Sequence, residues 1–214
     1  MISGFKRFFL MLFTLILMSS GASAHPHNWI DMQAELVIDD QLQLSGINMS
    51  WQFDPYYSIT VLSEFKQGEK TVQQQLDELD DLMVNNLAEY SYYSEISLGQ
   101  QPLSLPKPKQ WSLTVKDAQL LLTMDFQLSE ERAINGLALS LSTFDPTYYV
   151  SMNYLKSHNL LLPASVSTDC QWQLILPSPS EEMVEYAAKL DQTMKDTDGL
   201  GALFAEKMEL LCQR

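Results

Sequence analysis

Basic side chains are scarce in this sequence, and the shortage excludes one class of partner. Only 13 lysines and arginines stand against 27 aspartates and glutamates, so the 214-residue chain carries a formal net charge of −14. A protein surface of this sign repels the phosphate backbone of nucleic acids and the anionic head groups of membranes. The composition therefore predicts that the protein has no nucleic-acid partner.

The sequence also lacks the short motifs that mark common enzyme active sites. It contains no G-x-S-x-G nucleophile turn, no H-E-x-x-H zinc motif, no P-loop and no glycine-rich dinucleotide turn. Histidine is rare, and His158 is the only histidine away from the N-terminus. The sequence around it contains no nucleophile motif. We therefore predict that the protein is not an enzyme.

Only one long apolar run is present, and it extends from Phe8 to Met18. The basic pair Lys6-Arg7 precedes it and the small residues Ala22-Ser23-Ala24 follow it, which is the pattern of a cleaved secretory signal. No later run approaches the ~20 apolar residues that a membrane-spanning helix needs. We predict a signal peptide over residues 1–24 and a periplasmic domain over residues 25–214 that is not embedded in the membrane.

Cysteine occurs only twice, at Cys170 and Cys212. In an oxidising compartment an even pair of cysteines most simply forms a disulfide bond. Closing a loop of about forty residues would stabilise the fold by roughly 3–4 kcal/mol. The alternative, a thiolate metal or redox site, lacks the C-x-x-C spacing that is typical of such sites. The sequence therefore predicts a disulfide between these two residues.

Two of the three histidines directly follow the predicted cleavage site. Cleavage after Ala24 makes His25 the first residue, so its α-amino group and its imidazole lie near the imidazole of His27 in sequence. These nitrogen donors suit Cu, Ni, Co or Zn. Pro26 has no N–H and blocks the square-planar chelate that uses deprotonated amides. The alternative is a polar chain end whose histidines bind nothing.

A second motif, Phe-Asp-Pro followed by tyrosines, occurs twice. Residues 46–57 recur as residues 136–149, with one extra residue before Phe-Asp-Pro and another after it. Asp before Pro is typical of a type I turn, in which the carboxylate bonds to its own backbone. Alternatively, Asp54 and Asp145 face the N-terminal histidines as oxygen ligands, or orient a ligating imidazole. His158 lies in a polar loop and is either an exposed side chain or a third imidazole ligand.

Hydrophobic periodicity predicts an α+β fold with antiparallel strands. Apolar residues alternate over 29–61, with Asp39-Asp40 as a hairpin turn. They recur at helical spacing over 70–90, where Thr71 and Gln74 resemble a capping box. Further predicted elements are strands over 111–115, 120–128, 136–143, 169–176 and 208–212, and a helix over 181–195. For the tail, a helix over 203–211 fits the spacing nearly as well as a strand.

The repeated motif predicts two related β-rich halves, with possible bounds 25–98 and 110–214, that arose by duplication. The long helix over 70–90 would join these halves, and the second helix would lie near the C-terminus. Three prolines between Gly99 and Lys109 predict an irregular or edge segment between the halves.

These motifs resemble a bacterial family of unknown function that is described as the periplasmic component of an uncharacterised ABC-type transport system. The resemblance depends on His25-Pro26-His27-x-Trp29, on the two Phe-Asp-Pro motifs, and on Gly201-x-x-Phe204-Ala205-Glu206 running into Cys212. Members often lie beside, or are fused to, permeases of the nickel/cobalt exporter type. The resemblance therefore implies metal handling, with an inner-membrane metal permease as partner. It supplies no established ligand or catalytic residues.

Together these observations predict a periplasmic transition-metal-binding accessory protein of a metal transport system. His25 and His27 are the expected ligands, with Asp54, Asp145 and His158 as further candidates, and the ion is Ni, Co, Zn or Cu. The first alternative is a non-metal solute-binding or protein-interaction module, in which the Phe-Asp-Pro turns line a groove. The second alternative is a copper enzyme, because an N-terminal histidine chelate can also support oxidative chemistry.

Overall fold

The computed structural model describes residues 28–65, 68, 70–154, 160–190 and 199–214. These residues include eleven strands, four α-helices and one short 3-10 turn at Ser91–Tyr93. The strands are β1 (Asn28–Ile38), β2 (Gln43–Phe53), β3 (Ser94–Leu98), β4 (Gln101–Leu103), β5 (Gln110–Lys116), β6 (Gln119–Ala133), β7 (Ala138–Thr143), β8 (Val150–Tyr154), β9 (Leu160–Leu161), β10 (Cys170–Ile175) and β11 (Lys207–Cys212). The helices are α1 (Pro55–Ser63), α2 (Val72–Ala88), α3 (Glu181–Lys189) and α4 (Leu200–Leu203).

The strands form two sheets, which we name sheet A and sheet B. Sheet A has the order β5-β6-β2-β1-β8, with β9 also paired to β1, and sheet B has the order β10-β11-β7-β3-β4. The pairs are antiparallel, except that β1 runs parallel to β8 and to β9. The predicted α+β class with mainly antiparallel strands is therefore confirmed.

The core lies between the two sheets because each sheet has one apolar face. Every second residue of β1 from Ile30 to Ile38 is buried, while the residues between them are exposed or half-buried. This alternation follows from the two-residue period of a strand. Leu36 of sheet A and Leu139 and Met208 of sheet B line the same small cavity, so the apolar faces meet.

The first hairpin has its predicted turn, but its second strand is shorter than expected. Asp39 closes the turn by accepting two backbone N–H groups, from Gln41 and Gln43, both at 2.9 Å. The alternation predicted strand over 29–61, whereas β2 ends at Phe53 and α1 begins at Pro55. Proline has no N–H to donate to a sheet, but it fits the first turn of a helix, where N–H groups are unpaired anyway. The strand prediction beyond Phe53 is therefore wrong.

Helix α2 begins as the sequence predicts, with Thr71 and Gln74 forming a reciprocal capping box. It packs along β5, one of the outer strands of sheet A. Sheet A takes β1 and β2 from before this helix and β5, β6 and β8 from after it. Its expected role as a joint between two halves is therefore not confirmed.

Two neighbouring aspartates of α2 accept hydrogen bonds from the outer edge of β5. The carboxylate of Asp80 accepts the backbone N–H of Leu113 at 3.1 Å, and that of Asp81 accepts the indole N–H of Trp111 at 3.1 Å. The ammonium of Lys107 lies 4.8 Å from the centre of the Trp111 ring. An outer strand with unpaired backbone groups is a template for unwanted pairing, and the bond from Leu113 occupies one such group of β5.

The predicted disulfide is confirmed at the other end of the chain. Cys170 and Cys212 lie directly opposite each other in β10 and β11, and their sulfur atoms are 2.04 Å apart. The tail is therefore a strand, and the helical alternative over 203–211 is wrong for this segment. β11 pairs with β10 on one side and β7 on the other, and this pairing outweighs the local helical spacing.

No helix within the described ranges is both long and apolar enough to cross a membrane. Helix α3 begins after Ser180, whose side chain accepts the N–H of Met183, and extends over Glu181–Lys189. The backbone of Leu190 is extended and ends this helix, so the predicted continuous helix over 181–195 is wrong beyond Lys189. Residues 191–195 lie outside the described part of the chain.

The bond between Asp80 and Leu113 predicts a pH-dependent contribution to stability. Burial raises the pKa of Asp80; the N–H of Leu113 opposes this, while Asp81 and Asp77 raise the pKa further. When the pKa of a carboxyl group is higher in the folded than in the unfolded state, the free energy of unfolding falls as the pH rises. The fall begins near the unfolded pKa of about 3.9 and is complete above the folded pKa. Asp80→Asn cannot ionise and keeps a side-chain oxygen as acceptor. Its free energy of unfolding should exceed that of the wild type at neutral pH, and the difference should vanish in acid.

Asp80→Ala is the matched variant, because it is also uncharged but leaves the buried N–H of Leu113 without an acceptor. It should be less stable than Asp80→Asn by about 1–3 kcal/mol. Urea unfolding of the three proteins at neutral and acidic pH measures both effects. Equal stability of the two variants would contradict the role assigned to this hydrogen bond.

Candidate functional site

Two of the five predicted metal ligands lie in the described part of the chain. They are Asp54, which follows β2, and Asp145, which precedes β8. The three histidines, His25, His27 and His158, lie outside the described residues. The role of the three histidines in a site therefore stays a prediction. The structure gives the contacts of the two aspartates.

Asp54 caps α1 and ties the start of this helix to β1. Its Oδ1 accepts the N–H of Tyr57 at 2.9 Å, the bond expected of an N-cap residue. Its Oδ2 accepts the N–H of Trp29 at 3.2 Å, and its own N–H donates to the carbonyl of Trp29 at 3.0 Å. The carboxylate does bond to its own backbone, as predicted, but within a helix cap instead of a type I turn.

Asp145 organises the second Phe-Asp-Pro motif as a turn. Its Oδ1 accepts both the N–H and the hydroxyl of Thr147, at 2.9 and 2.8 Å, and its Oδ2 accepts the N–H of Val150 at 3.0 Å. Its carbonyl accepts the N–H of Tyr148 at 2.9 Å, which closes the turn. These bonds confirm a turn in which the carboxylate bonds to its own backbone, as predicted for this copy, and Asp145 is buried.

The two carboxylates lie on opposite sides of the start of β1. β2 and β8 are the neighbours of β1 in sheet A. Asp54 follows β2 and bonds to Trp29, whereas Asp145 bonds to Val150, which pairs with Asn28. Both aspartates therefore flank the two residues that directly follow His27. We call this arrangement the Asp54–Asp145 site.

The inserted residue after the second Asp-Pro explains why the two copies differ. In the first copy the third residue after the aspartate, Tyr57, donates to Oδ1, and the chain continues as a helix. In the second copy the second residue, Thr147, donates to Oδ1, and the chain turns into β8. Each copy nevertheless follows a central strand, β2 of sheet A or β7 of sheet B.

Comparison with known proteins assigns the family. The family described as "Protein of unknown function (DUF1007)" matches residues 10–212. The chain belongs to the DUF1007 family. An uncharacterised protein of Haemophilus influenzae is 35% identical over 202 residues, which cover 92% of this chain and 96% of that protein. The resemblance to a bacterial family of unknown function is thus confirmed, while its association with a transport system stays a prediction.

In this DUF1007 protein the C-terminal Gly-x-x-Phe-Ala-Glu motif docks onto the second Phe-Asp-Pro turn. The N–H of Gly201 donates to the carbonyl of Pro146 at 3.0 Å. A Cβ atom at Gly201 would lie 1.9 Å from the carbonyl oxygen of Asp145, so the close approach requires glycine. The ring of Phe204 stacks on Tyr148 with a centroid distance of 4.1 Å. Two motifs that are far apart in sequence thus form one structural unit.

The same motif also reaches the outer edge of sheet A. A carboxylate oxygen of Glu206 accepts the N–H of Tyr154 at 2.6 Å, and the carbonyl of Glu206 accepts the hydroxyl of Ser142 at 2.8 Å. The hydroxyls of Tyr154 and Thr143 lie 3.3 Å apart. This chain of bonds joins β8 of sheet A to β7 of sheet B next to the Asp54–Asp145 site.

A partly buried tyrosine lies near each aspartate of the site. Tyr57 stacks on Phe53 with a centroid distance of 5.2 Å, and burial, followed by the charge of Asp54, raises its pKa. Burial likewise raises the pKa of Tyr93, and the charge of Asp145 raises it further. Both hydroxyls therefore stay protonated at physiological pH. Sequence reasoning missed Tyr93, because only the folded chain brings it near Asp145.

The two aspartates differ in their capacity for another ligand. An ionised carboxylate offers about four lone-pair positions. Asp145 is buried and accepts from three donor groups, whereas Asp54 is half-buried and accepts from two. No group of three or more His, Cys, Asp or Glu side chains within the described ranges could hold a metal ion. A metal ion at Asp54 would therefore take its other ligands from beyond those ranges.

The close packing of Gly201 against Asp145 predicts that Gly201→Ala destabilises the protein. The added methyl group forces the backbone of α4 away from the turn, at a cost of about 1–3 kcal/mol. Thermal or urea unfolding measures the loss, and Ala202→Ser, an exposed position in the same helix, is the control. If both variants unfold like the wild type, this contact does not hold the turn in place.

Proposed function

We propose that this protein binds a transition-metal ion at the start of its mature chain and exchanges it with an inner-membrane permease. The proposed ligands are the α-amine and imidazole of His25, the imidazole of His27 and the carboxylate of Asp54. Asp145 orients the site from the opposite side of β1, and His158 is a further candidate ligand. The metal ion is the cargo.

The observation that carries the proposal is the position of the two carboxylates around the start of β1. Asp54 bonds to Trp29 on one side, and Asp145 bonds to the partner of Asn28 on the other. His27 is covalently joined to Asn28, and consecutive Cα atoms are about 3.8 Å apart. Asn28, the first residue beside the Asp54–Asp145 site, therefore directly follows a histidine that the sequence indicates as a ligand.

The chemistry of the donors supports a transition metal over a hard cation. Amine and imidazole nitrogens suit Ni, Co, Zn or Cu, and a carboxylate completes such sets readily. Asp54 is half-buried and has a free lone-pair position, which fits a ligand that binds and releases its ion. Removal of residues 1–24 takes two basic and no acidic residues, so the mature chain has a formal net charge of −16, which attracts cations.

The periplasmic setting and the permease partner have separate support. The disulfide between Cys170 and Cys212 is compatible with a secreted protein, because such bonds persist in oxidising compartments. The permease follows from the family resemblance alone. In this proposal the open site at the chain start passes its ion to the permease without unfolding of the β-core.

Metal titration of three forms of the protein tests the ligand set. The form that begins at His25 should bind Cu, Ni, Co or Zn with micromolar or tighter affinity. One extra N-terminal residue converts the amine into an amide and should weaken binding sharply. Asp54→Asn keeps the helix cap, since Asn is a good N-cap residue, but removes the charge; it should weaken binding to a smaller degree. Isothermal titration calorimetry measures all three.

Asp39→Asn is the matched control for the carboxylate. Asp39 lies at the opposite end of β1, about 30 Å away by strand rise, and also accepts two backbone N–H groups. The Asp39→Asn variant should therefore bind metal like the wild type. Equal binding by the native and extended forms would reject the amine as a ligand. If Asp54→Asn and Asp39→Asn both bind like the wild type, Asp54 is not a ligand.

A protein-interaction module is the second candidate function, and the exposed apolar residues beside Asp54 favour it. Trp29, Tyr56 and Ile59 are 50%, 80% and 61% exposed. Side chains of this kind grouped at a surface are typical of contact sites with other proteins. Absence of metal binding by every form in the titration would favour this function.

A further inference from the structure

Among the described residues, β10 is paired along one side, by β11, and open along the other. The N–H of Gln213 donates to the carbonyl of Asp169 at 2.9 Å, and β10 then pairs with β11 in unbroken antiparallel register. Because hydrogen-bonded pairs alternate along an antiparallel ladder, Gln171 and Gln173 bond to β11. The backbone groups of Cys170, Trp172 and Leu174 therefore point to the open side. Within the described ranges no group bonds to them there.

Three other outer strands, β5, β8 and β4, each carry a feature that hinders pairing with another chain. The N–H of Leu113 in β5 donates to Asp80, and the N–H of Tyr154 in β8 donates to Glu206. β4 has three residues, of which Pro102 lacks an N–H. Charged side chains, proline and covering helices are the usual means of protecting a sheet edge. β10 has no charged residue and no proline among its six residues.

β10 also exposes apolar side chains. Trp172 is 41% exposed, and Ile175 and Leu176 at the end of the strand are 38% and 65% exposed. A strand that combines free backbone groups with exposed apolar side chains pairs readily with another strand.

We propose that β10 is the seam at which two copies of this chain pair edge to edge. The chain carries a formal net charge of −14, so most approaches of two copies bring like charges together. β10 is uncharged, and pairing along it keeps that repulsion low. The seam is also self-complementary, as a two-fold interface requires.

The register of this pairing follows from the backbone groups that point outward. A two-fold axis at Trp172 places the two Trp172 residues opposite each other, and Cys170 opposite Leu174 of the second copy. All three residues with open backbone groups then pair, which gives about six main-chain hydrogen bonds across the seam. The two indole rings become cross-strand neighbours, which is a favourable aromatic pair. Sheet B thus continues from one copy into the next.

Sedimentation velocity and light scattering on the oxidised mature protein test the seam. The wild type should show twice the monomer mass and dissociate on dilution. Trp172→Lys places two like charges opposite each other and should weaken the association by an order of magnitude or more. Trp172→Pro removes an N–H that points away from β11, so it leaves the ladder within the chain intact and should also yield monomers.

Leu82→Lys is the matched control, because it adds the same charge at an exposed apolar residue of α2, away from the seam. It should dimerise like the wild type. Circular dichroism reports whether each variant is folded. If Trp172→Pro does not fold, Trp172→Lys alone tests the proposal. A wild type that stays monomeric at every concentration overturns the proposal, and so does a dimer that Trp172→Lys leaves unchanged.

Discussion

The two sheets depend on each other, because each has a single apolar face and buries it against the other. The alternation of buried and exposed residues along β1 and β2 leaves one side of sheet A apolar, and β7 and β11 do the same for sheet B. Such burial is the main favourable term in folding. It does not fix how the sheets are aligned, because the hydrophobic effect has no direction.

Directional contacts supply that alignment, and they concentrate around the second Phe-Asp-Pro turn. Glu206 accepts from Tyr154 of sheet A and from Ser142 of sheet B. Inside the core, the hydroxyl of Tyr154 lies near that of Thr143, and burial raises the pKa of Tyr154, so it stays a neutral hydrogen-bonding group. A polar network of this kind favours one alignment over its neighbours, because a shift leaves buried groups unpaired.

Much of the fold could be predicted from local patterns, whereas its long-range pairings could not. The two-residue period predicted β1 and most of β2, and Thr71 and Gln74 predicted the start of α2. The two cysteines predicted their disulfide. The pairing of β8 with β1 joins residues more than one hundred positions apart and has no local signal. The turn Ser91–Tyr93 was also missed, because its left-handed backbone is adopted without glycine. At the site, the repeated motif indicated both aspartates, but their position on either side of β1 required the structure.

The difference between the two copies of the motif shows how one inserted residue divides their roles. Without the insertion, Asp54 uses one oxygen to cap α1 and the other to hold β1, and it stays half-buried. With it, Thr147 brings a hydroxyl and an N–H onto Asp145, and the turn is covered by Gly201 and its neighbours. A carboxylate that is buried and nearly saturated serves to fix geometry, whereas one that keeps a free lone pair can take a ligand. If this chain holds an ion beside β1, Asp54 is therefore the carboxylate that reaches it, and Asp145 keeps β8 in place.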